Sequence, residues 1–437
     1  MPIVYQTYAC FAKMGEMLHH YLMLTPFKKT MSFLTDKTWS KVILFSLTLF
    51  LLRLSDAIIS FWAPNQIQSA LHSSIWMGLI ISFQSIIGFG ADLIFPALLR
   101  TTKTKRLIFW AIIMSALTSF FLAASTIQPF IAIFLITMTL WGIYYEFVAF
   151  ANYQFMGSNV PPHMRSAAWG VMGTFVNLAY FLGPLLAAMV LIKSYVLAEG
   201  IILIFLTIAL LLLSTFKKSH EVVAPIDLRT INPWVELKHW MTLSKHIWPA
   251  MILSLLMGFI DSTFWTTGAI WTEKLAKINY LGGLFLSFYQ LPAIFLGVVV
   301  AGWGIYKGKK ILTEKFLALA GVFLIGLAVS DSIYWQLSMV LLAASALSVC
   351  YPLLEGVYTD IVARMGKEKN DLIGLTSSVV NISYIIWPPV VGIVASLVGE
   401  RLTFSFVGIL VVIVSVILLF VTPKKLRLPQ EEIKEWG

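Results

Sequence analysis

Polar and apolar positions alternate along this chain on a scale of whole helices, not single residues. Apolar runs cover approximately 42–63, 75–98, 107–125, 129–152, 166–191 and 196–215, then 247–270, 281–305, 313–330, 335–358, 371–398 and 402–421. A bilayer core calls for about 20 apolar residues per helix, and each run is close to that length. The pattern predicts an all-α membrane protein with twelve transmembrane helices in two pseudosymmetric six-helix bundles. The longest polar connection, with Lys217, Lys218, Pro225, Arg229 and Pro233, separates the sixth run from the seventh. Boundaries follow: an N-terminal segment 1–40, a first bundle 41–215, a linker 216–245, a second bundle 246–422 and a tail 423–437. In the first segment Val4, Tyr5, Tyr8, Phe11, Met14, Leu18 and Leu22 trace a rough helical stripe. That stripe fits an amphipathic helix on the membrane surface; a partly ordered tail fits as well.

Composition agrees with the pattern. Of the 437 residues, 59% are hydrophobic and 12% charged, whereas a soluble domain is about half apolar and about a quarter charged. The net charge of +10 does not signal nucleic acid, because the basic residues sit in short clusters between apolar runs and form no continuous stripe. Loop charge sets orientation. With both termini cytoplasmic, 26 of the 31 Lys and Arg fall on the cytoplasmic side, leaving Lys193, Lys274, Lys277 and Arg401 opposite and Arg53 inside a span. The expected location is the inner or plasma membrane. Cys10 and Cys350 give neither a disulfide framework nor metal-ligand spacing, and no metal or cofactor is expected. Lys13, Glu16 and two histidines interrupt the first apolar stretch, so it does not read as a cleavable signal peptide.

The two halves repeat one another. Asp56 and Asp261 differ by 205 positions, and Gly78-Leu79-x-x-Ser82-Phe83 returns as Gly283-Leu284-x-x-Ser287-Phe288 at the same offset. Glu146 and Met156 return as Glu355 and Met365. Gly170-x6-Asn177-x2-Tyr180-x3-Pro184 returns as Gly374-x6-Asn381-x2-Tyr384-x3-Pro388. Six helices followed by six in the same direction make a parallel duplication, and transporters so built bind solute near the midplane, between the halves.

Three motifs carry a family resemblance over about residues 40–422. After the second run stands Gly88-Phe-Gly-Ala-Asp92, with a delayed basic cluster at Arg100, Lys103, Lys105 and Arg106. After the eighth run stands Lys307-Gly308-Lys309-Lys310, with no preceding Asp. The fifth run reads Gly170-x8-Ala179-x3-Gly183-Pro184-x2-Ala187-Ala188, an antiporter-like pattern with alanine for three glycines. The chain thus resembles the major facilitator superfamily. The resemblance implies that the first helix of each three-helix unit lines a central cavity, and that Asp92, Arg100, Lys103 and Arg106 act in gating.

Five charges lie inside spans: Arg53 and Asp56 in the first, Glu146 in the fourth, Asp261 in the seventh and Glu355 in the tenth. Each costs about 2.5–3.5 kcal/mol at mid-bilayer on insertion scales, so all five are read as facing one polar cavity. Arg53 and Asp56 are three residues apart on one helical face and can pair. Gly258 occupies the duplicate position of Arg53, so the base has no twin. Asn177, Tyr180, Asn381, Tyr384 and Trp265 join them as candidate solute or ion contacts, with Trp141 and Trp271 as further cavity aromatics. Each has a structural alternative: a self-neutralising pair for Arg53–Asp56, bonds to Tyr144, Tyr145, Tyr351 or Tyr358 for the glutamates, and interhelical packing for the Asn and Tyr pairs.

The expected function is secondary transport of a small organic solute by alternating access, by a monomer in the lipid bilayer. Desolvation favours the neutral form of a buried acid, which points to a coupling proton (or sodium). The antiporter-like fifth run and the aromatics favour export of an amphiphilic compound. Uptake of a polar nutrient by symport is the alternative, and a non-transporting receptor or assembly partner is the alternative of another class. Gly88-x-Gly90 and Gly308-Lys309-Lys310 lack the remaining residues of nucleotide loops, and no catalytic constellation appears, so an enzyme is not expected.

Overall fold

The computed structural model describes residues 37–98, 102–161, 165–191, 193–216, 233–302, 308–362 and 369–423. Most of the segment 1–40, most of the linker and nearly all of the tail lie outside them.

The described chain is helical and contains no strand. The helices are α1 (Lys37–Leu71), α2 (Ser74–Leu98), α3 (Thr104–Ala124), α4 (Ile131–Asn159), α5 (Arg165–Leu191) and α6 (Tyr195–Thr215). The second half holds α7, α8 (Leu284–Gly302), α9 (Lys309–Gly326), α10 (Ile333–Val362), α11 (Lys369–Val398) and α12 (Glu400–Val421). α7 runs over Pro233–Thr263, passes a π-helical turn at Phe264–Gly268 and continues over Ala269–Ile278. Ten of the helices are long and apolar enough to cross a bilayer. The described apolar part of α8 is shorter, and α9 begins with Lys309, Lys310, Glu314 and Lys315, which lower its hydropathy. Lys310 and Glu314 pair at 2.6 Å, and Thr422 accepts a bond from the same ammonium.

Local signals explain several ends. Ser194 Oγ accepts from Val196 N at 3.2 Å and caps α6. Asn279 Oδ1 accepts from Leu281 N at 3.0 Å and opens the short turn before α8. α1 extends well beyond the apolar run at both ends.

Packing repeats between the halves. α1 lies on α5 as α7 lies on α11; α3 lies on α4 as α9 lies on α10; α2 lies on α4 as α8 lies on α10. The halves meet through α2 against α11 and through α5 against α8, two contacts that the repeat exchanges for one another. The α2–α11 contact is close: a Cβ at Gly78 would stand 2.6 Å from the carbonyl carbon of Pro388, and one at Gly392 3.0 Å from that of Ser74. Phe120, Leu211, Phe295 and Phe420 are exposed on the perimeter, while Ser46, Thr48, Ser55 and Asp56 are buried. A molecule apolar outside and polar within suits lipid as its solvent.

Candidate functional site

Between the halves lies a cavity of about 680 Å³. α1 begins and α12 ends on one membrane side, the terminal side. On α1 the lining runs from Arg53 toward the opposite side through Ser60 and Pro64; on α4 it runs toward the terminal side through Trp141, Tyr145, Glu146 and Ala149.

Two acid centres stand on its walls. In the first half, Arg53 Nη1 donates to Asp56 Oδ2 at 3.1 Å and to Tyr180 Oη at 3.2 Å. Tyr180 Oη donates to the same carboxylate oxygen at 2.6 Å, and Trp141 Nε1 donates to Oδ1 at 2.8 Å. The Arg53 guanidinium also lies 5.6 and 5.1 Å from the ring centres of Tyr144 and Tyr145, within cation–π range. In the second half, Tyr289 Oη donates to Asp261 Oδ1 at 2.5 Å and Tyr384 Oη donates to Oδ2. Among the described residues no cation pairs with Asp261. The duplicated Tyr180 and Tyr384 thus serve the duplicated Asp56 and Asp261. A T-shaped contact between Tyr180 and Trp265, 5.2 Å between ring centres, joins the centres across the halves.

The missing twin of Arg53 has a steric cause. A Cβ on Gly258 would collide with Ser383 Oγ on α11 and stand 2.7 Å from its Cβ. No long side chain fits there without moving α7 off α11. The π-helical turn begins three residues after Asp261, at Phe264; π turns insert one residue and often sit at functional sites. Trp265 and Thr266, both in that turn, line the cavity.

Arg53, Glu146, Asn177, Tyr180, Asp261, Trp265, Asn381 and Tyr384 all line this cavity, and Asp56 lies directly behind Arg53 and Trp141. Asn177 Nδ2 also donates to Ala293 O of α8 at 3.3 Å. Two expectations need correction. Glu355 is exposed, one turn beyond the lining residue Tyr351, and is not part of the lining. Trp271, which lies past the π turn, packs on the apolar core instead. Of the proposed gating residues, Arg100 and the side chain of Asp92 lie outside the described residues. Lys103 and Arg106 line a separate groove formed by α1, α3, α4 and α6.

Sequence reasoning missed Gln84, Ser85, Tyr289 and Gln290, which line the cavity on α2 and α8. The signal was available: Gln84-Ser85 and Tyr289-Gln290 directly follow the repeated Gly-Leu-x-x-Ser-Phe. Contacts on the side opposite the termini were also missed. Asn65 Nδ2 of α1 donates to Ala269 O of α7 at 3.2 Å, and Gln68 Nε2 donates to Glu400 Oε1 at 3.3 Å. The same Glu400 oxygen pairs with Lys274 at 2.6 Å. These contacts join the two halves on the side opposite the termini.

Solved structures of similar fold are transporters. The human organic anion transporter MFSD10 (TETRAN) is 18% identical with a TM-score of 0.61, covering 88% of this chain and 100% of its own. A peptide transporter POT in complex with sulfate is 14% identical with a TM-score of 0.67, covering 90% and 95%. The nucleoside transporter NupG is 10% identical with a TM-score of 0.65, covering 86% and 100%. No curated protein matches the chain in sequence. The family model of the Major Facilitator Superfamily matches residues 45–367. That match covers most of the chain and includes Asp56 and Asp261; with the duplicated helix packing and the cavity between the halves, it shows that this is a multi-pass secondary transporter and not an enzyme, and that the chain belongs to the major facilitator superfamily.

Proposed function

We propose that this chain couples proton movement to export of a small amphiphilic solute across the inner or plasma membrane, with both termini cytoplasmic. One observation carries the coupling: Asp261 stands in the central cavity, held by two tyrosyl hydroxyls, with no cationic partner among the described residues. An ionised carboxylate there carries an uncompensated charge out of water, which protonation removes. Asp56, by contrast, has its charge balanced by Arg53. Asp261 is therefore the proton carrier, with Glu146 as the second acid of the lining. Trp141, Tyr145, Trp265 and Tyr351 give the cavity large apolar faces with polar tips, which suits an amphiphilic solute. The antiporter-like pattern in α5 supports export, and the concentration of basic residues on the terminal side supports the orientation. The path runs between two halves of one chain, so a monomer suffices.

The test is transport in proteoliposomes with a panel of amphiphilic aromatic fluorophores. An imposed pH gradient should drive dye movement by the native protein. Asp261→Asn should abolish the gradient-driven movement while keeping dye exchange at equal pH. Gradient-driven transport by Asp261→Asn at the native rate would overturn the coupling.

A further inference from the structure

A second cavity lies away from the solute path. It is a groove of about 890 Å³ at the terminal side of the first half, between the start of α1, the start of α3 and the ends of α4 and α6. Lys41, Lys103, Lys105 and Arg106 line its rim, and no carboxylate is among the lining residues. Lys41, Lys103, Lys105 and Arg106 are all exposed. Below the rim the walls turn apolar. Phe45 and Phe155 are buried and stacked, 4.0 Å apart and 8° from parallel. Phe109, Leu210 and Leu211 are exposed on the perimeter, on the flank that faces the membrane.

From this juxtaposition we propose that the groove binds an anionic phospholipid. Its phosphate sits among Lys41, Lys103, Lys105 and Arg106, and an acyl chain runs along Phe109, Leu210 and Leu211. Charge complementarity selects the head group, because four cations face one site with no acid among the described lining residues. The continuous step from charged rim to exposed apolar wall selects a lipid over a free anion, since a free phosphate would leave the apolar wall unused. Lys105 is already placed for the role. Its Nζ donates to the carbonyls of Ser214 and Phe216 at 3.2 Å each, which fixes an ammonium over the C-terminal end of α6 and leaves a third N–H for the ligand. α3 starts at the groove with no side-chain cap, so the positive end of its dipole adds to the same field. Lys103 and Arg106, assigned to gating from the family motif, thereby gain a lipid-binding role on a surface built from one half only.

The experiment measures thermal stabilisation and native mass spectra of the purified full chain in detergent, titrated with phosphatidylglycerol, with phosphatidylcholine of the same acyl chains, or with inorganic phosphate. Phosphatidylglycerol should stabilise the native protein and remain bound. Lys41→Gln/Lys103→Gln/Arg106→Gln should weaken that affinity on the order of a hundredfold, at about fivefold per basic residue near a charged head group. The same variant should keep its melting temperature in phosphatidylcholine, which shows that it is folded. Lys193→Gln, on the opposite side, should bind like the native protein. Equal stabilisation by both lipids, undiminished binding by the triple variant, or equal stabilisation by inorganic phosphate would each overturn the proposal.

Discussion

The two acid centres descend from one repeat and have diverged in charge. Each places an aspartate on the first helix of its half and a tyrosine on the fifth, with a hydroxyl donated to the carboxylate. The first centre adds a guanidinium and an indole N–H to Asp56. The second adds another tyrosine and the Trp265 side chain to Asp261, and no cation among the described residues. One carboxylate is therefore paired with a base that is not deprotonated in proteins. The other has no cationic partner among the described residues. Under the proposed coupling, the base at position 53 makes one copy of the duplicated centre a fixed ion pair and leaves the other to carry the proton.

The largest effect should come from breaking the fixed centre. Asp56→Leu leaves Arg53 buried without its counter-charge, a change that costs about 3–5 kcal/mol when one partner of a buried pair is removed. Arg53→Leu leaves Asp56 with only Tyr180 and Trp141 and should cost slightly less. Both should lower the melting temperature strongly and abolish transport. The double change Arg53→Leu/Asp56→Leu should recover most of the stability without transport, as read by thermal unfolding and counterflow. Full transport by the double variant would show that the pair only holds helices together.

The next effect tests why the base was not duplicated. Gly258→Ala introduces a methyl group against Ser383, and overpacking of this kind costs about 1–3 kcal/mol. If α7 can move off α11, Gly258→Ala will instead be neutral in thermal unfolding, and the steric account of the asymmetry fails. Adding Ser383→Gly should relieve most of the loss.

Much of this was legible in the sequence, for identifiable reasons. Hydropathy gave the twelve helices because lipid imposes length and apolarity on each span. The spacing of Arg53 and Asp56 gave their pair because i and i+3 meet on one helical face. The repeat gave Tyr180 and Tyr384 a shared face before it was known what they touch. What stayed hidden depends on rotation and tilt between helices. Tyr289 reaches Asp261 from α8, although its duplicate is Gln84 and no spacing within α8 points toward α7. Glu355 was misplaced because the match to Glu146 conveys register along a helix but not depth within a cavity.

A smaller difference should separate the two tyrosines. Tyr180→Phe removes a hydrogen bond to the carboxylate paired with Arg53, and a bond to such a charge pair is worth about 1.5–3 kcal/mol. Tyr384→Phe removes one to a carboxyl that can be neutral, worth about 0.5–1.5 kcal/mol. Thermal unfolding of the two variants side by side should therefore rank Tyr180→Phe as the more damaging. The reverse order would mean that Asp261 is held ionised in the resting protein, which contradicts its role as a carrier.

The smallest effect on stability belongs to the residue with the greatest proposed effect on coupling. Asp261→Asn keeps the shape of the side chain and removes its capacity for charge. The amide oxygen can accept from Tyr289 or Tyr384, and the amide nitrogen can donate to the oxygen of the other hydroxyl. No counter-cation among the described residues loses its mate. The expected change in unfolding free energy is below about 0.5 kcal/mol, within the range of substitutions that touch no special feature. Asp56→Asn is the matched control. It has the same change of atoms, but it strips the charge from beside Arg53 and should cost several times more. If the two substitutions destabilise equally, the centres carry equal charge and their divergence is only one of composition. If Asp261→Asn is nearly silent in unfolding, the second centre already stands in its neutral form at rest, ready to release a proton when the cavity opens.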